Sequence, residues 1–261
     1  MSLEWLVNIA VDNWQMFLRG IGMTMLISVI ATIIGAVIGL LIGVIDTIPK
    51  QKKGVKKYIL LVIRVVLRIY VEFFRGTPMM VQAMVVFYGL PLIMIEIKNL
   101  IGTDFGFDGD INRVFAGILV VSLNTGAYMA EIVRGGIISV DQGQFEAAQA
   151  IGMSHWKTMI HVVLPQVMRN ILPATGNQFV MNIKDTAVLS VIGVTEIFFQ
   201  TKSIAGNNFR YFESFFIACL IYLVLTIIVT QILRYFERRL NGKASYQMID
   251  EMSIRRPENP M

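Results

Sequence analysis

Two stretches constrain this chain more than any other feature. Gly20 to Ile45 and Ser214 to Leu233 contain no charged residue. Each is long enough, as an α-helix, to cross roughly 30 Å of hydrocarbon. A mean hydropathy of +0.64 and a hydrophobic content of 55% extend that reading to the chain as a whole, because such composition belongs to membrane proteins. Residues 78–95 and 114–133 supply two further spans. A fifth, 176–200, is the weakest, since Lys184, Asp185 and Glu196 interrupt it. The expectation is an all-α integral membrane fold with five transmembrane helices. An outer segment 1–19 precedes a membrane domain 20–239, and a tail 240–261 follows.

Charge orients these spans, because lysines and arginines near span ends collect on the cytoplasmic side. Eight lie between Asp46 and Thr77, three around the central loop (Arg134, Lys157, Arg169) and six beyond Leu233. The opposite side has Arg19, Lys98, Arg113, Lys202 and Arg210. The N-terminus is therefore expected outside, with the C-terminus and the loop 142–174 inside. Tyr58 to Phe74 is apolar enough to resemble a span, yet Arg64, Arg68 and Glu72 share one helical stripe. An arginine at mid-bilayer costs about 2.5–3.5 kcal/mol, and a sixth span would put the central loop outside. The segment is read as the cytoplasmic or interfacial start of the second span, its stripe pairing internally or with acidic groups on a neighbour.

Several functions fall away. The lone Cys219 permits no internal disulfide. His155 and His161 do not share a helix face, and no third ligand accompanies them, so no metal site is expected. Asp104, Asp108 and Asp110 lack the EF-hand pattern; they suit a solvated outer loop or a contact with an external protein. The net charge of +5 lies in membrane flanks and implies anionic lipid rather than nucleic acid. Glu4, Asp12 and the missing basic start argue against a signal peptide. Leu3 to Leu18 fits either an amphipathic helix on the outer surface or a short extension of the first span. Gly35, Gly39 and Gly43, four apart, would let another helix approach closely. Gly76 and Pro78 mark a fixed helix break.

The segment 142–174, between spans three and four, is too polar to cross a membrane but is well suited to helix. Glu146, Ala147, Ala148 and Ala150 favour helix, and Gly152 can end it at positive φ. Ser154 can cap a second helix with Trp156, Met159, Ile160 and Val163 on one face. Pro165 is expected to stop that helix. A protruding helix-turn-helix with an apolar face suits docking in a groove of a soluble partner.

These residues carry a resemblance. Glu146-Ala147-Ala148, Gly152, Val162 and Leu164-Pro165 resemble the Glu-Ala-Ala, Gly, Ile-x-Leu-Pro signature of the membrane subunits of ABC importers, with valine at 162 for isoleucine. Glu72 to Pro78, Ala127 to Gly135 and Lys184-Asp185-Thr186 resemble the polar amino-acid branch, similar to the histidine and glutamine permeases. The likeness extends from Arg19 to Arg239.

The resemblance implies a permease subunit that forms a translocation pathway by alternating access, with a second permease subunit, identical or different. It implies two cytoplasmic ABC ATPases bound through the coupling residues Glu146, Ala147, Ala148, Gly152, Leu164 and Pro165. It also implies an external solute-binding protein and a polar amino-acid substrate. The chain has no G-x-x-x-x-G-K-[ST] phosphate loop, since Gly242-Lys243 is followed by alanine. It is therefore not expected to be an enzyme or to hold a cofactor, with ATP and Mg²⁺ bound by the partner ATPase. Asn124, Thr125 and Tyr128, on one face of span three, and Lys184 and Asp185 in span four are candidate substrate-pathway residues, because intramembrane polar groups commonly face a wet cavity. Lys184 and Asp185 point about 100° apart and cannot pair well, which leaves a gate role and helix anchoring both open. Glu131 and Arg134 are expected to pair at i,i+3. An ATP-independent secondary transporter or channel is the alternative, but no internal repeat supports it. No nucleophile-base arrangement supports a membrane enzyme.

Overall fold

The computed structural model describes residues 3–48, 54–102 and 110–241, all helical or in short connections. Asp104, Asp108, the basic residues between 49 and 53 and the tail from 242 lie outside the described residues. In order, the helices are α1 (Leu3–Asp12), α2 (Trp14–Thr47), α3 (Val55–Gly76), α4 (Met79–Ile101), α5 (Arg113–Ile138), α6 (Gln142–Ala150), α7 (His155–Thr158), α8 (Leu164–Asp185), α9 (Ile197–Asn208) and α10 (Tyr211–Asn241). A π-helical turn, Met159–Val163, joins α7 to α8, and a 3₁₀ stretch, Thr186–Ile192, follows α8. By length and composition α2, α4, α5 and α10 can each cross a membrane. The segment from His155 to Asn208 is a fifth candidate, bent by 55°.

The bundle is built around α2 and α5, which lie side by side in the same direction. Their seam is made by missing side chains. A Cβ on Gly35 would fall 2.6 Å from Thr125 Cβ, and one on Gly39 would fall 2.6 Å from the Met129 carbonyl carbon. Gly43 opposes Val133 in the same way. The partners advance by four together, which is the register of two parallel helices in backbone contact. Gly126 repeats the device from the α5 side, lying against Ile38 and the Tyr70 hydroxyl.

Parallel α2 and α5 require a return between them, and α3 and α4 share it. Val71 of α3 packs with Ile42 and Ala130, whereas Ala83 of α4 packs with Ile27, Ala31, Val120 and Val121. The chain thus climbs beside the later half of α2 on α3 and beside its earlier half on α4. The last turns of α3 lie level with the middle of α5, where the Tyr70 hydroxyl donates to Leu123 O at 2.6 Å. The arginine stripe is compatible with this because Arg64 reaches the freed carbonyls of Asp46 and Ile48 at the end of α2. No ion pair joins Arg64, Arg68 and Glu72 among the described residues.

Residues 176–200 do not form one helix. Thr186–Ile192 tightens to 3₁₀, Gly193 turns at φ +79°, and α9 starts afresh at Ile197. Glu196, 0% exposed, caps α9 by accepting from Phe198 N and Phe199 N, each at 2.7 Å. Its second oxygen also accepts from the Tyr222 hydroxyl of α10 at 2.9 Å. Glu196, one of the three charged residues that weaken this segment by hydropathy, is the one that restarts its helix. At the same end, Ile9, Phe17, Ile204 and Ile217 join α1, α2, α9 and α10.

Candidate functional site

Side-chain caps and a positive-φ glycine define the α6–α7 segment. The Asp141 carboxylate caps α6 by accepting from Gly143 N at 2.6 Å. Gly152, at φ +79°, ends it: Met153 N donates to Ala148 O at 3.0 Å and Gly152 N to Gln149 O at 2.9 Å. This is the hydrogen-bond pattern of a Schellman motif, and the positive φ is what calls for glycine. Ser154 then caps α7, accepting from Lys157 N at 3.5 Å.

Pro165 does not stop the second helix. Leu164 keeps helical dihedrals, φ −56° and ψ −39°. The helical ladder instead widens over Met159–Val163, with Leu164 N bonding Met159 O. A π turn makes room for the proline ring and uses the one position where a missing N–H is tolerated. The widening also splits the apolar face expected for Trp156, Met159, Ile160 and Val163. Met159 and Val163 pack with Val133, Ile137, Val140, Val167 and Ile171, while Trp156 and Ile160 stay exposed. Of the motif residues, Ala148 is buried, Leu164 is half-buried against that cluster, and Glu146, Ala147, Gly152 and Pro165 are exposed. The element is therefore rigidly seated on α5 and α8 and presents Glu146, Ile151, Trp156 and Ile160 outward.

Inside the bundle a second polar constellation crosses three helices. Asn182 Nδ2 donates to Thr32 Oγ1 at 2.8 Å, and Asn182 Oδ1 accepts from Thr125 Oγ1 at 3.1 Å and from Gln178 Nε2 at 3.3 Å. Asn124 turns the other way. Its amide donates to Phe74 O at 3.0 Å and to Gln82 Oε1 at 3.1 Å, and Gln82 donates to Phe74 O and Thr77 O, both at 2.9 Å. The carbonyls freed where α3 breaks at Gly76–Pro78 are satisfied by these two side chains.

The five candidate pathway residues thus part company. Asn124 and Thr125 are buried and committed to protein partners. Tyr128 is 37% exposed, with the Arg75 guanidinium 5.6 Å from its ring centre. Lys184 is exposed and Asp185 half-buried. Glu131 pairs with Arg134 at 2.7 Å. Gln82, Thr32 and Asn182 belong to this interior and were not singled out by the sequence. Only Gln82 offers a signal, as a lone polar side chain in an apolar run; Thr32 follows Thr24 and Ser28 at four-residue spacing, and Asn182 lies in α8, which is rich in polar residues. Asn182→Leu should lower the thermal unfolding midpoint in detergent, because interhelical hydrogen bonds of this kind contribute about 0.6–1.7 kcal/mol each. An unchanged midpoint would show that the network adds nothing.

A bundle with broken helices, a polar interior and an exposed helix-turn-helix fits a membrane transport subunit. The chain belongs to the family described as binding-protein-dependent transport system inner membrane component, whose model matches residues 58–242. It is a multi-pass inner-membrane permease subunit of that family. Over 172 residues it is 37% identical to the glutamine transport system permease protein of Escherichia coli strain K12, covering 66% of this chain and 73% of that one. It is also 37% identical over 173 residues to the arginine transport system permease protein of Bacillus subtilis strain 168, with 66% and 73% covered. A crystal structure of an amino acid ABC transporter with histidines aligns over 92% of this chain and all of the other, at 34% identity and a TM-score of 0.73.

Proposed function

We propose that this chain is the permease of an ATP-driven importer of polar amino acids, coupled to its ATPase through α6 and α7. The observation that carries the reading is the seating of that element. Its outer surface is exposed, while Met159 and Val163 sit in one packed cluster with Val133 and Ile137 of α5. A push on the exposed face is therefore passed to the central helix, since packed interiors transmit displacement rather than absorb it. Two cytoplasmic ATPases would dock there, which places α6 and the C-terminus inside. A second permease subunit would complete the pathway, and an external binding protein would deliver substrate. The two-state requirement is a bundle whose inward- and outward-open forms bind these partners differently. Relatives transport glutamine and arginine according to their names, which supports an amino-acid substrate.

Proteoliposomes holding the chain, its ATPase and its binding protein should take up labelled glutamine, arginine or histidine only with ATP. Uptake indifferent to ATP would overturn the coupling role. Gly152→Val should cut ATP-dependent uptake by at least about ten-fold, since a β-branched residue at φ +79° forces the turn to rearrange, at a cost of about 1–3 kcal/mol. Insertion should be unaffected. Full uptake by the variant would remove Gly152 from the mechanism.

A further inference from the structure

One groove is used by neither the α6–α7 element nor the interior hydrogen-bond network. It runs between α2, α8 and α10 and has a volume of about 240 Å³. Val29 and Ile33, Leu172 and Phe179, and Leu233 and Phe236 form its walls, one pair from each helix. Thr32 and Thr175 also reach it, but their hydroxyls are committed elsewhere. Thr32 Oγ1 donates to Ser28 O at 2.6 Å and accepts from Asn182 Nδ2 at 2.8 Å, and Thr175 Oγ1 donates to Ile171 O at 3.0 Å. Gly176 adds bare backbone, where a Cβ would stand 3.3 Å from Leu233 Cδ1. Among the described residues the only charge in the lining is Glu237, at the end of the groove nearest the C-terminus of α10. Away from that end the walls suit an apolar guest, and apolar cavities of about 150 Å³ take up small hydrocarbons.

The depth of the groove is set by α10. Its Tyr211–Phe212 and Tyr235–Phe236 pairs stand about 36 Å apart along the helix, which is the spacing of two aromatic belts around roughly 30 Å of hydrocarbon. The groove begins at Phe236 and continues inward along α8 from Leu172 to Phe179, a length of about 10 Å. Ile33 and Phe236 are exposed at its rim, and both belong to helices long and apolar enough to cross a membrane. The rim therefore opens sideways into hydrocarbon. Arg234 and Arg238 lie within one turn of Glu237, so charge marks one end of the groove and leaves the rest apolar.

We propose that this groove holds one acyl chain of a phospholipid from the leaflet at the C-terminal end of α10. The headgroup stays at the Glu237 end with Arg234 and Arg238, because polar groups remain at the interface. The chain enters past Phe236, lies against Gly176 and reaches Phe179. A helix of another subunit is too wide. With its side chains a helix is about 10–12 Å across, whereas about 240 Å³ spread over about 10 Å leaves room for a single unbranched chain. Another face of α8 is held by Met159 and Val163 through Val167 and Ile171, so the lipid packs behind the helix that seats the α6–α7 element. The inference rests on the membrane location of α2 and α10 and not on the transported substrate.

The test reconstitutes the full chain, alone and with its ATPase, in vesicles of phosphatidylethanolamine and phosphatidylglycerol. The probe is a phosphatidylethanolamine with a photoactivated diazirine in one acyl chain. After illumination, peptide mass spectrometry measures adducts by position. Adducts at Phe179, Leu233 and Phe236 should exceed those at Ile228 and Ile232, which α10 exposes on another face at similar depth. The expected excess is about ten-fold, an occupancy preference equivalent to about 1.4 kcal/mol. Ile33→Trp and Gly176→Leu, which fill the groove from its rim and its floor, should each bring the groove adducts down to the Ile232 level and leave Ile232 itself unchanged. If Gly176→Leu does not assemble, Ile33→Trp at the exposed rim is sufficient. Groove adducts no more frequent than those at Ile228 and Ile232, or unaffected by Ile33→Trp, would overturn the proposal. Groove adducts that form on the isolated chain and vanish in the assembled transporter would give the groove to a partner subunit and overturn it as well.

Discussion

Gly39→Leu should prevent the bundle from assembling. A Cβ at this position would stand 2.6 Å from the Met129 carbonyl carbon and 2.7 Å from Ala130 N. These are backbone atoms of a buried helix and cannot rotate out of the way. The only relief is to separate α2 from α5, which would open Gly35 and Gly43 as well and expose Thr125 and Val133. Overpacking commonly costs about 1–3 kcal/mol and occasionally more, and here the whole seam must yield, so a loss at or beyond the top of that range is expected. Fluorescence-detected size exclusion should show the monodisperse peak collapse into aggregate. Gly22→Leu is the matched control, because nothing lies within 4 Å of its Cβ position, and it should elute as the parent does. If Gly39→Leu also stayed monodisperse with an unchanged melting temperature, α2 and α5 would not be in backbone contact.

Glu196→Ala should be nearly as damaging, for a different reason. The carboxylate is the sole side-chain cap of α9 and also receives the Tyr222 hydroxyl. Its loss leaves Phe198 N, Phe199 N and the hydroxyl without their acceptor. Losing a cap costs about 0.5–2 kcal/mol, and an unsatisfied buried polar group about 1–3 kcal/mol, so a total of roughly 3 kcal/mol is expected. For a chain of this size that corresponds to a fall of about 6–12 °C in the melting temperature. Tyr222→Phe removes one hydrogen bond and leaves the cap, so its shift should be about a third as large. Equal shifts for the two would mean that Glu196 matters only through Tyr222.

Much of the fold could be read in advance because membrane helices announce themselves through length and apolarity. The glycine spacing at 35, 39 and 43 correctly foretold a close helix contact, and the Gly76–Pro78 phrase a break. The positive φ of Gly152 followed from the turn it had to make. Two features not legible in the sequence share one cause. Pro165 was read from its local preference, and a π turn five residues long accommodated it. Asn124, Thr125 and Tyr128 were grouped by their position on one helix. The neighbours decided otherwise: α3 ends beside Asn124, α8 brings Asn182 to Thr125, and Tyr128 is left under Arg75.

By itself, the sequence determined that the chain is a helical membrane protein with a helix-turn-helix between its third and fourth apolar segments. Those properties depend on hydrophobic run length, turn chemistry and capping, which are local and additive along the chain. The family likeness was likewise carried by short contiguous motifs. Only the tertiary structure decided which helix the glycines of α2 would meet, and which polar groups cancel one another in the interior. Only it brought Val29, Leu172 and Leu233 to one groove. Partners far apart in the chain come together through packing alone, and in a bilayer each buried polar group must find one of them.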